Sequence, residues 1–142
     1  MKLQIIFFSI IIIALSLAGC STKTPNIGVL INNIDAQIGV AQNASSDLRT
    51  GTDQFVQALM QSNSYLRRQG RTSYDDLDGR EAIRTRLTGQ SNVTGKMENV
   101  MVYTSRLESG GLFYLITIVP GNEESSYNRA FNEVVRSLII NE

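Results

Sequence analysis

Apolar and polar positions along the chain change period several times, and each change marks an element. Near the far end, Tyr127, Phe131, Val134, Val135 and Leu138 recur at helical spacing and form one apolar stripe. Arg129, Asn132, Glu133 and Arg136 occupy the opposite face. This predicts an amphipathic helix, capped by Ser125 or Ser126, with Glu123 and Glu124 at the positive end of its dipole. An earlier helix is predicted over Leu48 to Gln61, where Leu48, Phe55, Val56, Leu59 and Met60 share a side and Ser46 or Thr50 caps the start. Gly51 weakens its first turn by roughly 1 kcal/mol relative to alanine.

Between the helices the period falls to two. Ser64 to Tyr74 is predicted as a strand, and Asp78-Gly79 as a hairpin turn. Arg80 to Thr88 alternates, with Ile83 and Leu87 on one face and Arg84 and Arg86 on the other. Gly89 to Gly95 is turn-like, Val100 to Leu107 is rich in β-formers, and Glu108-Ser109-Gly110-Gly111 is a second hairpin turn. Leu112 to Val119 is apolar at successive positions, the signature of a central strand buried on both faces. Ile27 to Ile34 is predicted as a further strand, and residues 35–45 as loop. The expected architecture is α+β: an antiparallel meander sheet of four to five strands with two helices packed on it, on both faces if the Leu112 strand is truly central.

The first twenty residues follow another pattern. Lys2 precedes an apolar run, Ile5 to Leu17, interrupted only by Ser9 and Ser16, and Leu17-Ala18-Gly19-Cys20 closes it. A positive residue, a short apolar core and small residues before a cut site are the parts of a secretory signal. A spanning helix needs about 20 apolar residues, and this run is shorter. The tetrapeptide reads as a lipobox: Leu17, Ala18 and Gly19 for signal-peptidase recognition, and Cys20 as the lipidated first residue of the processed chain. Each buried acyl methylene contributes about 0.8 kcal/mol, so two or three chains hold a protein durably at a membrane.

The division expected is 1–19 signal peptide, 20–26 lipidated tether and 27–142 a single domain. Ser21 to Asn26 extends to roughly 20 Å, which keeps the domain close to the headgroups. Ser21, rather than Asp, after the cysteine favours outer-membrane sorting, facing the periplasm, if the source is Gram-negative. The expected setting is the cell envelope, with the membrane as one partner and an envelope protein as another.

Composition then narrows the chemistry. Thirteen Lys/Arg balance thirteen Asp/Glu, which argues against a nucleic-acid partner. The chain has no histidine and one cysteine, so His-based zinc sites, His-dependent triads and an internal disulfide are all excluded. No phosphate-cradling glycine motif is present. Asp75, Asp76, Asp78 and Gly79 resemble part of a calcium loop, but with Gly79 as sixth residue the first and twelfth positions are Tyr74 and Thr85, so a polar turn is the reading preferred. No metal or cofactor is expected. Asp53, Glu81 and Glu98 are the carboxylates open to acid–base work, although no spacing singles them out.

Arg67, Arg68, Arg71, Arg80, Arg84 and Arg86 crowd neighbouring strands. Arg67, Arg84 and Arg86 are the candidate anion-binding patch, weighed against a solvated sheet edge balanced by Asp75, Asp76, Asp78 and Glu81. Tyr65, Tyr103, Phe113 and Tyr114 are read as sheet core before groove lining.

Residues 47–139 resemble a small accessory domain of bacterial envelope proteins, found alone and at the C-terminal end of some periplasmic zinc metallopeptidases. The resemblance rests on Gln61-Ser62-Asn63, the turn Leu77-Asp78-Gly79-Arg80-Glu81-Ala82, the strand Leu112-Phe113-Tyr114-Leu115-Ile116, the helix Tyr127-Asn128-Arg129-Ala130-Phe131 and the closing Val135-Arg136-Ser137-Leu138. It implies a PsbP-like α/β/α sandwich. The peptidase relatives carry H-E-x-x-H in a separate domain, so the resemblance implies the accessory domain without its catalytic partner. The functional expectation is a membrane-anchored, non-catalytic interaction or scaffold module. A small-ligand carrier with a pocket between sheet and helix is the alternative, and a carboxylate hydrolase comes third.

Overall fold

The computed structural model describes residues 35–42 and 44–142. The segments expected to be signal peptide, lipidated tether with Cys20, and a strand over Ile27 to Ile34 lie outside the described residues. The elements are β1 (Asp35–Ala41), α1 (Leu48–Ser62), β2 (Arg67–Arg68), β3 (Ser73–Leu77), β4 (Arg80–Gln90), β5 (Met97–Arg106), β6 (Leu112–Pro120) and α2 (Glu124–Ser137). All six strands form one antiparallel sheet in the order β1-β6-β5-β4, with β2 and β3 both paired to β4. The α+β class holds, with one strand more than expected.

Helix α1 lies on one face of the sheet and α2 on the other, because the long strands bury both of their sides. In β6, Tyr114 and Ile116 join Val56 and Leu59 of α1, Leu66, Leu87, Val100 and Val102 in one cluster. The alternate residues Phe113 and Leu115 join Leu77, Ala82 and Tyr103 in a second, against which Val135 of α2 packs. Period-two alternation therefore builds two cores from a single strand. β6 is central, as its apolar sequence predicts, hydrogen-bonded to β5 on one side and β1 on the other.

The segment expected to be loop is instead β1, with Asp35 opposite Ile118 and Ala41 opposite Leu112. Asp35, Gln37 and Gly39 hide the strand pattern, and its partner lies far along the chain. Gly39 leaves room there for the Tyr114 ring, since a Cβ would stand 2.4 Å from the Tyr114 hydroxyl and the ring would have to shift. The single strand expected over Ser64 to Tyr74 is two short ones, separated where Gly70 turns to φ 72°. Gly89 and Gln90 belong to β4, so the following turn is tighter than expected.

The Asp78-Gly79 turn forms as predicted, both residues having positive φ (55° and 74°). Asp47, not Ser46 or Thr50, caps α1, its carboxylate accepting from Thr50 N at 2.8 Å and from the Thr50 hydroxyl at 2.7 Å. Those bonds hold the Asp47 carboxyl below the usual aspartate range. α2 starts at Glu124, one residue ahead of the expected serine caps, and Glu123 makes no side-chain capping bond.

The two helices are seated differently. α1 buries Gly51, Thr52, Val56 and Leu59, while α2 buries no residue fully. Phe55 stacks on Tyr114 with ring centroids 4.7 Å apart, and the Thr52 hydroxyl shares a hydrogen bond with that of Thr104 at 2.7 Å. α2 rests its stripe half-buried and leaves the helix state before Leu138, which is extended.

From Leu138 the chain runs across the two turns at one end of the sheet. The Glu142 side chain accepts from the backbone N–H groups of Glu108 and Ser109 at 3.0 and 2.9 Å and pairs with Arg80 at 2.6 Å. Ile140 N donates to Asp78 Oδ2 at 2.8 Å. The two turn amides, with a smaller contribution from Arg80, hold the Glu142 carboxyl below the usual glutamate range.

Candidate binding groove

Between α2 and the sheet lies a small open groove of about 90 Å³. β4 contributes Arg84 and Arg86, β5 contributes Asn99, Met101 and Tyr103, and α2 lays Glu124, Asn128 and Phe131 across them. The strand residues share this face because they alternate with the α1-facing Thr85, Leu87, Val100 and Val102, and the register sets Arg84 opposite Tyr103 and Arg86 opposite Met101. The helical repeat brings Glu124, Asn128 and Phe131 to one side of α2.

One end of the groove is closed by a polar network. Arg86 pairs with Glu124 through Nη2, and Asn99 Nδ2 donates to the same carboxylate oxygen at 2.8 Å. The Thr88 hydroxyl lies 3.0 Å from Asn99 Oδ1, orienting that carboxamide. Glu124 also stands in the first turn of its helix, where a negative charge is favoured. Arg86 Nε is buried with no partner.

At the other end Arg84 is half-exposed, 3.6 Å from Asp75, with Nε donating to the Ser73 hydroxyl at 3.3 Å. Burial pushes the Tyr103 phenol up, partly offset by the hydrogen bond and charge of Arg84. The groove thus offers carboxamides, one accessible guanidinium and the Tyr103 and Phe131 rings, with the Arg86 charge balanced internally. That set is suited to hydrogen bonding and stacking, and it contains no paired nucleophile and base.

Arg84 and Arg86 therefore come together on one face. Arg67 is opposite Thr88, on the same face by register, but its guanidinium turns back to the carbonyls of Ser64 and Leu66. Arg68 points to the other side and pairs with Asp53 of α1 at 2.9 Å. The acidic turn is engaged piecemeal: Asp75 by Arg84, Asp76 by Gly79 N at 3.0 Å, and Asp78 by Ile140 N. Among the described residues, no three Asp, Glu, Cys or His side chains gather where an ion could sit.

Asp53, Glu81 and Glu98 are not brought together either. Glu81 and Glu98 stand near opposite ends of the β4–β5 ladder, roughly 25 Å apart at about 3.3 Å per residue. Glu98 is buried and accepts from the Tyr65 hydroxyl at 3.0 Å. Burial first, then the Glu98 charge, pushes the Tyr65 phenol far above its ordinary value. Tyr103, Phe113 and Tyr114 are buried, and Tyr65 packs against the α1-side cluster, so these rings are mainly core, as read from the sequence. Only Tyr103 of the four reaches the groove. Asn99 and Asn128 carry no spacing signal, being single polar residues on a strand and a helix face, and the sequence marks Glu124 only as a helix-dipole acid, without its link to Arg86.

Leu17, Ala18, Gly19 and Cys20, expected to form a lipobox, lie outside the described residues. No helix among the described residues is long and apolar enough to cross a membrane.

Neither a family model nor a curated protein matches the chain. Among solved structures, the crystal structure of PA94, a protein of unknown function from Pseudomonas aeruginosa, is similar at a TM-score of 0.61, with 9% identity over 88% of each chain. At that identity the likeness shows a shared fold alone.

Proposed function

We propose that the protein is a lipid-anchored lipoprotein of the cell envelope whose α+β domain is a non-catalytic interaction module. In a Gram-negative cell its place is the outer membrane, facing the periplasm. Leu17-Ala18-Gly19-Cys20 supports the anchor, and Ser21 to Asn26 keeps the domain against the membrane. The observation that carries the interaction reading is the groove beneath α2: a helix with no fully buried residue stands over carboxamides, a guanidinium and aromatic rings. The partner proposed is an envelope protein, since the tether restricts what the groove can meet.

The test is photo-crosslinking in native membranes from a reactive residue placed at Asn132, which is exposed on α2 and borders the groove. A discrete protein adduct is expected, lost when Cys20→Ala releases the domain or leaves it unprocessed. Absence of any adduct, together with a small molecule co-purifying with the domain, would replace this reading with the ligand-carrier one. The polar groups that converge on the groove are what favour that second reading.

A further inference from the structure

Residues 138–142 lie on the domain as an extended peptide lies on a receptor. Exposure alternates along the segment: Leu138 and Ile140 are half-buried against the α2-side cluster, while Ile139 is 71% exposed and Asn141 is exposed. The Glu142 side chain, only 17% exposed, ends in a cradle of two consecutive turn amides and a guanidinium. A main-chain bond from Ile140 to Asp78 fixes the register between the apolar contacts and the acid. Period-two apolar contacts, a main-chain anchor and a carboxylate held by backbone N–H groups are the parts of a peptide-recognition site. Here the chain fills that site itself.

The surroundings suit an occupant that can leave. The segment is continuous with α2, which buries no residue fully and is separated from Pro120-Gly121 by two residues. A segment held through one carboxylate, one main-chain hydrogen bond and two half-buried side chains is drawn from the less stable part of a fold.

We propose that Arg80, the Glu108 and Ser109 amides and the adjoining apolar surface form a binding site for an extended partner peptide of the pattern apolar-x-apolar-x-acid, covered in cis by residues 138–142. The site admits a partner when the strap lifts, so the partner competes with the chain's own Glu142. This gives the interaction module a partner chemistry and rests on that reading, but its test needs no membrane, so either idea can fail without the other.

The experiment measures binding of a fluorescent peptide of residues 134–142 to the full chain in detergent. Glu142→Arg sets a like charge against Arg80 and lifts the strap. That variant is expected to bind the peptide at least tenfold more tightly than the unaltered chain does. Replacing the peptide's final Glu by Gln should cost at least tenfold on the same variant. Faster hydrogen exchange at the Glu108 and Ser109 amides should accompany the substitution. Three results would overturn the proposal: freed amides with no peptide binding, equal binding of the acid and amide peptides, or unchanged amide protection. Should Glu142→Arg fail to fold, Glu142→Gln carries the same comparisons.

Discussion

Gly89→Ala is expected to lower folding stability by about 3 kcal/mol, near the upper end of what one added methyl costs in a packed interior. Gly89 is a buried residue of β4, and a Cβ built on it would stand 2.1 Å from the Tyr65 carbonyl oxygen and 2.8 Å from the Tyr65 carbonyl carbon. The obstacle is backbone, so no side chain can rotate away. Relief requires moving the segment that carries Tyr65 and the buried Leu66, which would disturb the Tyr65–Glu98 bond and the α1-side cluster. Gly70→Ala is the control: its φ is 72° with nothing within 4 Å of the added methyl, so only conformational strain of about 1 kcal/mol is expected. Urea unfolding of the two variants measures the difference, and equal losses would contradict a backbone clash at Gly89 as the source of the cost.

The second large effect separates the two helices. Leu59→Ala should cost about 3 kcal/mol, because Leu59 is 3% exposed and packs among Val56, Leu66, Leu87, Val100 and Val102, where a cavity cannot readily collapse. Val135→Ala on α2 should cost about 1 kcal/mol, since Val135 is only half-buried at the margin of its cluster. The same asymmetry predicts that α2 amides exchange through local opening while α1 amides exchange through global unfolding. Equal destabilisation by both substitutions, or equal protection in both helices, would contradict it. The difference bears on function because the groove and the strap both depend on α2 being lightly held.

Much of the architecture was legible because it rests on periodicity. The alternation that put Ile83 and Leu87 opposite Arg84 and Arg86 places them on different faces of the sheet, and the unbroken apolar run of β6 marks the strand with a core on each side. β1 was not legible: Asp35 and Gln37 break its apolar pattern, and Gly39 is set against Tyr114, which lies next to it only in three dimensions. The same holds for the site. Arg84 and Arg86 were visible as an alternating pair, whereas Glu124 neutralises Arg86 across a sequence separation that no local pattern reports. Arg67 shares their face by register yet spends its guanidinium on nearby carbonyls, a choice set by the loop after α1.

The strap shows why a sequence pattern can be read correctly and still be misassigned. Leu138 extends the helical stripe of Tyr127, Phe131, Val134 and Val135 in the sequence, but in the structure it begins an extended segment with period two. An apolar residue at the junction satisfies both periods, and only the anchoring of Ile140 by Asp78 and of Glu142 by the β5–β6 turn decides between them.

The most direct test of the central claim is the intact mass of the protein extracted from its native membrane. The account predicts a chain that begins at Cys20 and carries a thioether-linked diacylglycerol, with a further acyl group on the new amine where the host supplies it, and loss of that species in Cys20→Ala. A membrane-bound chain that retains residues 1–19, or one that lacks any acyl mass on Cys20, would contradict it.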